Sequence, residues 1–331
     1  MHMRTAVPSV FLVLMMSASV LAQTPPSLPG NYPSRPIKIL GGGTPGGGTD
    51  IVARLLAQKV TEKWGRPMIV ENHPSVMGGI VAMELTAKAP PDGYTMFLAA
   101  SSAIINGALV AKVPYDIRTA FAPIAKLTSQ PYVLVVNNAV PAKSVKELIA
   151  YARSRKGELD YGSTGSGSAT HLGMELFKLL AGLDMQHIPY KGGGQAQIDL
   201  LGGQVQLMFA SAIAAIPQVR LGKLRILGTG SPKRSRLLPD VPTIAESGLP
   251  GFELVGWYGL ATTTGTPTAI VAALNRESIQ IMNSPEMQAK LIADGAEAAE
   301  PNTPAEFAKA IDDEIDRWDK VIKSSNLKFE R

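Results

Sequence analysis

The chain contains no cysteine. Disulfides, thiolate metal sites and thiol nucleophiles are therefore excluded. Histidine is nearly as scarce: His2, His73, His171 and His187. No two of them stand at metal-ligand spacing and no acidic cluster lies beside them, so no metal site is expected. Charged residues make up only 18% of the chain, and the formal excess of +5 is scattered. No run of lysine and arginine is interleaved with aromatics, which removes nucleic acid from the expected partners. Past the first two dozen residues no apolar stretch is long enough to span a bilayer. No lysine occupies the phosphate-loop position of a glycine loop, so a nucleoside triphosphate site lacks support as well.

What is present starts with an address. Arg4 supplies a positive n-region, Ala6 to Val20 is an apolar core too short for a comfortable span, and Val20-Leu21-Ala22 offers a small-residue cleavage site. Residues 1–22 read as a signal peptide cut after Ala22, and residues 23–34 as a flexible lead-in. Cleavage removes only Arg4 from the charge count and leaves +4. A mildly basic exported protein steers small acidic ligands weakly toward itself. The 331 residues suffice for one large or two medium domains.

The stretch around which the chain is organised is Gly41-Gly42-Gly43-Thr44-Pro45-Gly46-Gly47-Gly48-Thr49-Asp50. It follows the apolar Ile37–Leu40 and precedes an amphipathic run from Ile51 to Trp64, so it reads as the loop between a strand and a helix. Such a loop admits close backbone approach and aims free N–H groups at an anion. Strands at Met68–Val70 and Tyr94–Ala100, with a helix over Gly78–Lys88 between them, give a β-α-β-α-β order and a parallel sheet. The pattern returns further on. Tyr132–Val136 is a strand, Ser144 with Glu147 is a capping box, and Tyr161–Thr170 is a second glycine- and serine-rich loop opening a helix. Gln186–Pro189 is a strand, and Gly192-Gly193-Gly194 opens another helix. Strands follow at Val205–Phe209, Leu224–Gly228 and Phe252–Thr263, then helices at Pro267–Asn283, Pro285–Ala293 and Pro304–Ser324. The last of these begins with a Thr303/Glu306 capping box. Those closing helices suit the first sheet, which makes the first domain discontinuous. Crossing segments are expected near Thr128–Pro131 and Leu254–Trp257.

Three chemistries compete for these loops. Gly41 to Gly46 matches G-x-G-x-x-G, with Glu71 near where a ribose-binding acid would stand, so a dinucleotide-binding oxidoreductase is one alternative. Pro45 and the export signal speak against it. A turn with no ligand is another. Ser166 with His171 invites a hydrolase reading, but Thr164 breaks the nucleophile elbow and His171 follows only five residues on. Hydroxyls and N–H groups at a helix start suit a carboxylate better, and Ser168 also reads as a plain helix cap. Trp257 and Tyr258 fit core packing or the wall of a cleft.

In order and spacing the sequence resembles the Bug family, the periplasmic substrate-binding proteins of tripartite tricarboxylate transporters. The resemblance runs from Tyr32-Pro33-Ser34-Arg35-Pro36-Ile37 to the last helix. It is carried by Pro45-Gly46-Gly47-Gly48-Thr49-Asp50, Val70-Glu71-Asn72, Pro91-Asp92-Gly93-Tyr94-Thr95, Gly165-Ser166-Gly167 with His171-Leu172, Pro189-Tyr190-Lys191-Gly192-Gly193, Pro239-Asp240-Val241-Pro242-Thr243 and Trp257-Tyr258-Gly259-Leu260. It implies a two-lobed α/β periplasmic binding protein, type II-like, each lobe a mainly parallel sheet flanked by helices and joined by two crossing strands. Residues 35–129 with 256–331 form the first lobe and 130–255 the second. It implies a monomer that captures a small carboxylate, without catalysis or cofactor, and in some members delivers it to a permease pair. The expected ligand-binding residues are Thr44, Gly47, Gly48, Thr49, Ser101, Ser102, Thr164, Gly165, Ser166, Gly167, Ser168, His171, Gly192 and Ser211. Departures from the family pattern are Gly42-Gly43 in place of Pro-Phe, Ser75 and Val81 in place of glycines, and Ala210-Ser211 in place of Asp-Asn. Losing that carboxylate points away from amino acids and towards a plain carboxylate.

Overall fold

The computed structural model describes residues 30–75, 79–110, 113–235 and 237–325. The signal peptide and the lead-in up to residue 29 lie outside them. The rest of the lead-in is tied down rather than flexible: Tyr32 is buried and its hydroxyl donates to the Gly93 carbonyl at 2.7 Å. Among the described residues no helix is long and apolar enough to cross a membrane.

The first sheet starts with β1 (Ile37–Gly41), α1 (Gly48–Trp64), β2 (Met68–Asn72), α2 (Ile80–Ala87) and β3 (Thr95–Ala100). β1 lies between β2 and β3 and is parallel to both. Its Ile37 and Ile39 share a core with Val52, Leu56 and Val60 on one face of α1, while Leu40 is buried in a second core with Met83 and Phe97. Leu56 and Val60 of the expected apolar side lie on that face of α1, whereas Ile51 and Leu55 are only half-buried. Gly65 ends α1 in the left-handed conformation, φ 63°, which only glycine adopts freely. A short α3 (Ser101–Ile105) follows β3 directly.

The chain then forms β4 (Phe121–Asn137), a strand of 17 residues that belongs to two sheets. Its first part pairs with β9 (Val255–Thr263), which pairs on its other side with β3, both antiparallel. Its second part, from Tyr132 on, pairs with β7 (Leu207–Ser211) and β8 (Leu224–Thr229). β5 (Asp160–Ser163) is parallel to β7, and β6 (Gln186–Pro189) is parallel to β5. Only Tyr132–Val136 was expected as strand, because Pro123 and Pro131 interrupt the pattern and lack the N–H that a ladder uses. Bulges between Pro123 and Ala125 and between Lys126 and Thr128 absorb the mismatch.

The second sheet is flanked by α4 (Val145–Ser154), α5 (Ala169–Ala181), α6 (Gly193–Gly202) and α7 (Ala212–Arg220). After β9 come α8 (Thr268–Met282), α9 (Pro285–Asp294), the two-residue β10 (Glu297–Ala298) and α10 (Pro304–Ser325). The Thr303/Glu306 capping box forms in full, while at Ser144 the Glu147 carboxylate accepts from Lys143 N–H instead of closing the box. Glu147 N–H donates to Ser144 Oγ, and Glu306 N–H to Thr303 Oγ1, with the Glu306 carboxylate returning to the Thr303 N–H at 2.7 Å. Phe307, Ile311 and Ile315 of α10 pack with Phe97, Phe121 and Trp257 on the first sheet. Trp318, one turn further, belongs to the cluster that holds Tyr132 and Leu134 of the second sheet and the loop residue Phe252. The molecule is thus a two-lobed α/β fold in which β4 and the start of β9 cross between mixed, largely parallel sheets.

Candidate ligand-binding cleft

A cavity of about 60 Å³ lies where the two sheets meet. Its wall is made mostly of helix beginnings. Gly48 and Thr49 open α1, Gly79 precedes α2, Ala100 and Ser102 flank the start of α3, Gly192 and Gly193 open α6, and Ser211 precedes α7. None of these five helices is capped by the side chain at its own N-cap: those positions are Gly47, Gly79, Ala100, Gly192 and Ser211. The helices that start elsewhere behave differently. Ser144, Ser168 and Ser284 cap α4, α5 and α9, and Thr303 caps α10; only α8, after Pro267, goes without. An α-helix leaves its first N–H groups without intrahelical partners, and they carry partial positive charge. Among the described residues no charged side chain lines the cavity. Its polar groups are these helix starts, the hydroxyls of Thr49, Ser102, Thr164, Ser211, Tyr132 and Tyr258, and the Gln197 amide.

The loop before α1 is held by Asp50, which is buried in the helix's first turn. Its carboxylate accepts from Gly46 N–H at 3.0 Å, Asn72 Nδ2 at 2.7 Å and Arg54 Nε at 2.8 Å. Burial alone would raise its pKa, but these hydrogen bonds and the Arg54 charge outweigh it and hold the carboxyl below its usual range.

The loop before α5 is organised by its own side chains. Ser163 Oγ lies 2.6 Å from His187 Nε2, Thr164 N–H donates to Thr170 Oγ1, and Gly167 N–H donates to His171 Nδ1 at 3.0 Å. The rings of His171 and His187 stack at 3.8 Å, with Tyr161 stacked on His187 in turn. Burial lowers the pKa of His171 to about 4 and that of His187 to about 3, where the neighbouring His171 and Lys178 add to the effect. The Glu175 charge opposes it at His171. Both rings are therefore neutral in the fold, while the unfolded chain takes up protons near pH 6.5. Their contribution to stability is complete above that pH and falls as pH drops from 6.5 towards 4. Near pH 5 these two groups should give uptake of about two protons on unfolding, reduced to about one in His171→Gln. Denaturation midpoints followed between pH 7 and pH 4.5 measure this; an unchanged slope in the variant would show that the pair is not buried neutral.

Two tyrosines complete the wall from the crossing strands. Tyr258 on β9 sets its hydroxyl beside Ser211 and Gly48. Tyr132 on β4 faces Ser101 and Ser102, and burial pushes its pKa up to about 12. Both remain protonated donors at neutral pH. Trp257, by contrast, packs edge-on against Phe307 in the core.

The two sides of the cleft meet in glycine. Gly43, Gly47 and Gly48 come from the α1 loop, and Gly192, Gly193 and Gly194 from the α6 loop. A methyl on Gly192 would lie 2.5 Å from Thr44 N, and one on Gly194 only 2.2 Å from the Pro45 carbonyl oxygen. Gln195 N–H donates to Thr44 Oγ1 at 3.1 Å, and Asn106 Nδ2 to the Ser166 carbonyl at 2.8 Å.

Of the expected residues, the structure gathers Gly48, Thr49, Ser102, Thr164, Gly192 and Ser211 around the cavity. Thr44 and Gly47 lie on the glycine seam, and the Ser166 carbonyl bridges to Asn106. Ser101, Gly165, Gly167, Ser168 and His171 stand behind the wall; Ser168 caps α5 and His171 braces Gly167. Tyr132, Gln197 and Met208 were not anticipated, because strand aromatics and helical amides carry no positional signal of their own. Gly42 and Ala210, singled out as departures, both line the cavity. Glu71, the acid that a dinucleotide would need, pairs with Lys38 at 2.8 Å instead.

The model of the tripartite tricarboxylate transporter family receptor, TctC, matches residues 52–327. Protein BugT of Bordetella pertussis is 36% identical over 300 residues, which cover 90% of this chain and 91% of that protein. The solved structure of Rpa4515 from R. palustris with adipate superposes with a TM-score of 0.85 at 35% identity, covering 89% of this chain and 98% of the other. MatC (Rpa3494) from Rhodopseudomonas palustris with bound malate gives 0.83 at 32% identity, with 88% and 100% coverage. The dinucleotide oxidoreductase alternative has no support among these relatives. A receptor family matched over most of the chain, with relatives above 30% identity along nearly their whole lengths, sets its membership: the chain belongs to the tripartite tricarboxylate transporter receptor family, TctC.

Proposed function

We propose that this chain is a periplasmic receptor that captures a small carboxylate between its lobes, performs no reaction on it, and hands it to a membrane permease pair. The observation that carries the reading is the set of five helix starts left without their own side-chain caps around a cavity with no charged side chain among its described lining residues. The helices that start elsewhere, α8 apart, are capped by side chains; at these five starts Gln195 N–H of α6 takes Thr44 Oγ1, and the remaining N–H groups suit something that is not a side chain. An anion satisfies them, and their partial charges replace a cationic partner. Hydroxyls of Thr49, Ser102, Thr164, Ser211 and Tyr258 add neutral donors. Gly42 and Ala210 leave room, and no acid, where an ammonium group would look for a partner. The malate bound to MatC and the adipate bound to Rpa4515 are ligands of the same class. The lobes we assign are residues 35–129 with 256–331, and 130–255.

A thermal-shift series of mono-, di- and tricarboxylates tests the reading. A ligand at a hundred times its Kd adds about 2.7 kcal/mol. For a chain of this size the melting temperature is expected to rise by roughly 4 °C. If malate, adipate and their homologues all leave the melting temperature where it was at millimolar concentration, carboxylate capture is wrong.

A further inference from the structure

We propose that Thr44 is a helix cap supplied across the cleft, and that its bond to the first turn of α6 closes the lobes without help from a ligand. The proposal deepens the receptor reading above, but its test uses no carboxylate, so the two can fail separately.

The start of α6 has nothing of its own to cap it. Gly192, Gly193 and Gly194 occupy its N-cap and first two helical positions. The third N–H, that of Gln195, is one that an N-cap side chain ordinarily receives. Here it donates to Thr44 Oγ1 at 3.1 Å, from a residue 151 positions away in the chain. Thr44 therefore takes the N-cap's role from the opposite lobe.

Both partners are held ready for this bond. On the Thr44 side, the turn is closed by Gly47 N–H donating to the Thr44 carbonyl at 3.1 Å, and Gly46 N–H is fixed on Asp50. On the α6 side, only glycine permits the approach: a methyl on Gly192 would stand 2.5 Å from Thr44 N, and one on Gly194 3.0 Å from Thr44 Oγ1. Separation of the lobes returns the Gln195 N–H to water and leaves α6 uncapped. Loss of a threonine cap is worth about 1 kcal/mol, so the bond favours the closed form by about fivefold. The same bond fixes the direction of the α6 start, and so makes Thr44 a positioning residue for the cavity.

The absence of cysteine makes the measurement clean. Arg66→Cys and Lys146→Cys place a single dye pair on exposed sites of opposite lobes. Single-molecule energy transfer in carboxylate-free buffer then counts closed and open molecules. The expected result is a closed population in the parent chain, a closed-to-open ratio about fivefold lower in Thr44→Val, and a ratio within about twofold of the parent in Thr44→Ser. The melting temperature of Thr44→Val should lie no more than about 2 °C below the other two, which separates a closing bond from a merely structural one. Thr44→Ala replaces the valine variant should valine disturb the loop. A parent chain found only open, or a ratio unchanged in the variant lacking the hydroxyl, overturns the proposal.

Discussion

Gly194→Ala is expected to weaken carboxylate binding ten- to a hundredfold while leaving the melting temperature of the unliganded protein unchanged or slightly higher. The added methyl would stand 2.2 Å from the Pro45 carbonyl oxygen and 3.2 Å from Gly47 N. Both are backbone atoms of the opposite side of the cleft, so no side chain can swing away. Forcing a methyl into such a contact costs about 1–3 kcal/mol, and the whole of that cost falls on the closed form. The open form meets no such contact. Gly194 is not among the glycines at positive φ, so alanine fits its backbone, and alanine is the better residue in an α-helix. Isothermal titration with the carboxylate that gives the largest thermal shift checks the first half, and calorimetric melting the second. An unaltered Kd would mean that ligand is held without the glycine seam closing. Gly192→Ala is a poorer probe of the same contact, because Gly192 has φ 150° and the substitution strains the loop itself.

Trp318→Ala is expected to destabilise the protein by about 3–5 kcal/mol, and for a chain of this length the melting temperature falls by roughly 5–8 °C. Trp318 is 1% exposed. Its ring lies in the core beneath Tyr132, Leu134 and Phe252, although the rest of α10 packs on the other sheet through Phe307, Ile311 and Ile315. Its Nε1–H donates to Glu314 Oε1 at 3.0 Å, a buried donor that needs its acceptor. The residue fastens the closing helix of one lobe to the core of the other. Differential scanning calorimetry should therefore give one transition in the parent chain and an earlier one in the variant. A loss below 1 kcal/mol would show that the tryptophan contributes little to the join.

Much of the fold could be read from pattern alone, and the exceptions have physical causes. Apolar runs between small-residue loops placed β1, β2, β3, β6 and β8 within two residues, β1 and β3 most plainly as short continuous apolar runs, whereas β5 was missed because Tyr161–Ser163 read as part of the glycine- and serine-rich loop. The full length of β4 was hidden by Pro123 and Pro131. The helix α7 was hidden because Pro217 lies inside it and its first residues continue the apolar run of β7. The cleft was legible where glycine marks it, at Gly48 and Gly192, and less so where side chains act. The segment 163–171 has the composition of a ligand loop. Yet Ser163, Ser168, Thr170 and His171 spend their polar atoms on the loop's own backbone and on each other, and only Thr164 reaches the wall. Tyr132 and Tyr258 present the opposite case. Each has its ring in a core cluster and its hydroxyl at the cavity, so a strand pattern reports the first and conceals the second.

The position of β9 in the chain sets an order of assembly. All strands of the second sheet lie between Tyr132 and Thr229, so that sheet can be completed as soon as the last of them has been made. The first sheet cannot. β9 is the strand that stands between β3 and β4, and it begins only at Val255. Until then β3 and the first part of β4 present unpaired edges, the kind of surface on which nascent chains misassociate. The molecule is therefore finished from its inserted half outwards, and the first sheet waits for the crossing strand and then for β10, which pairs with Thr128 and Ser129 of β4.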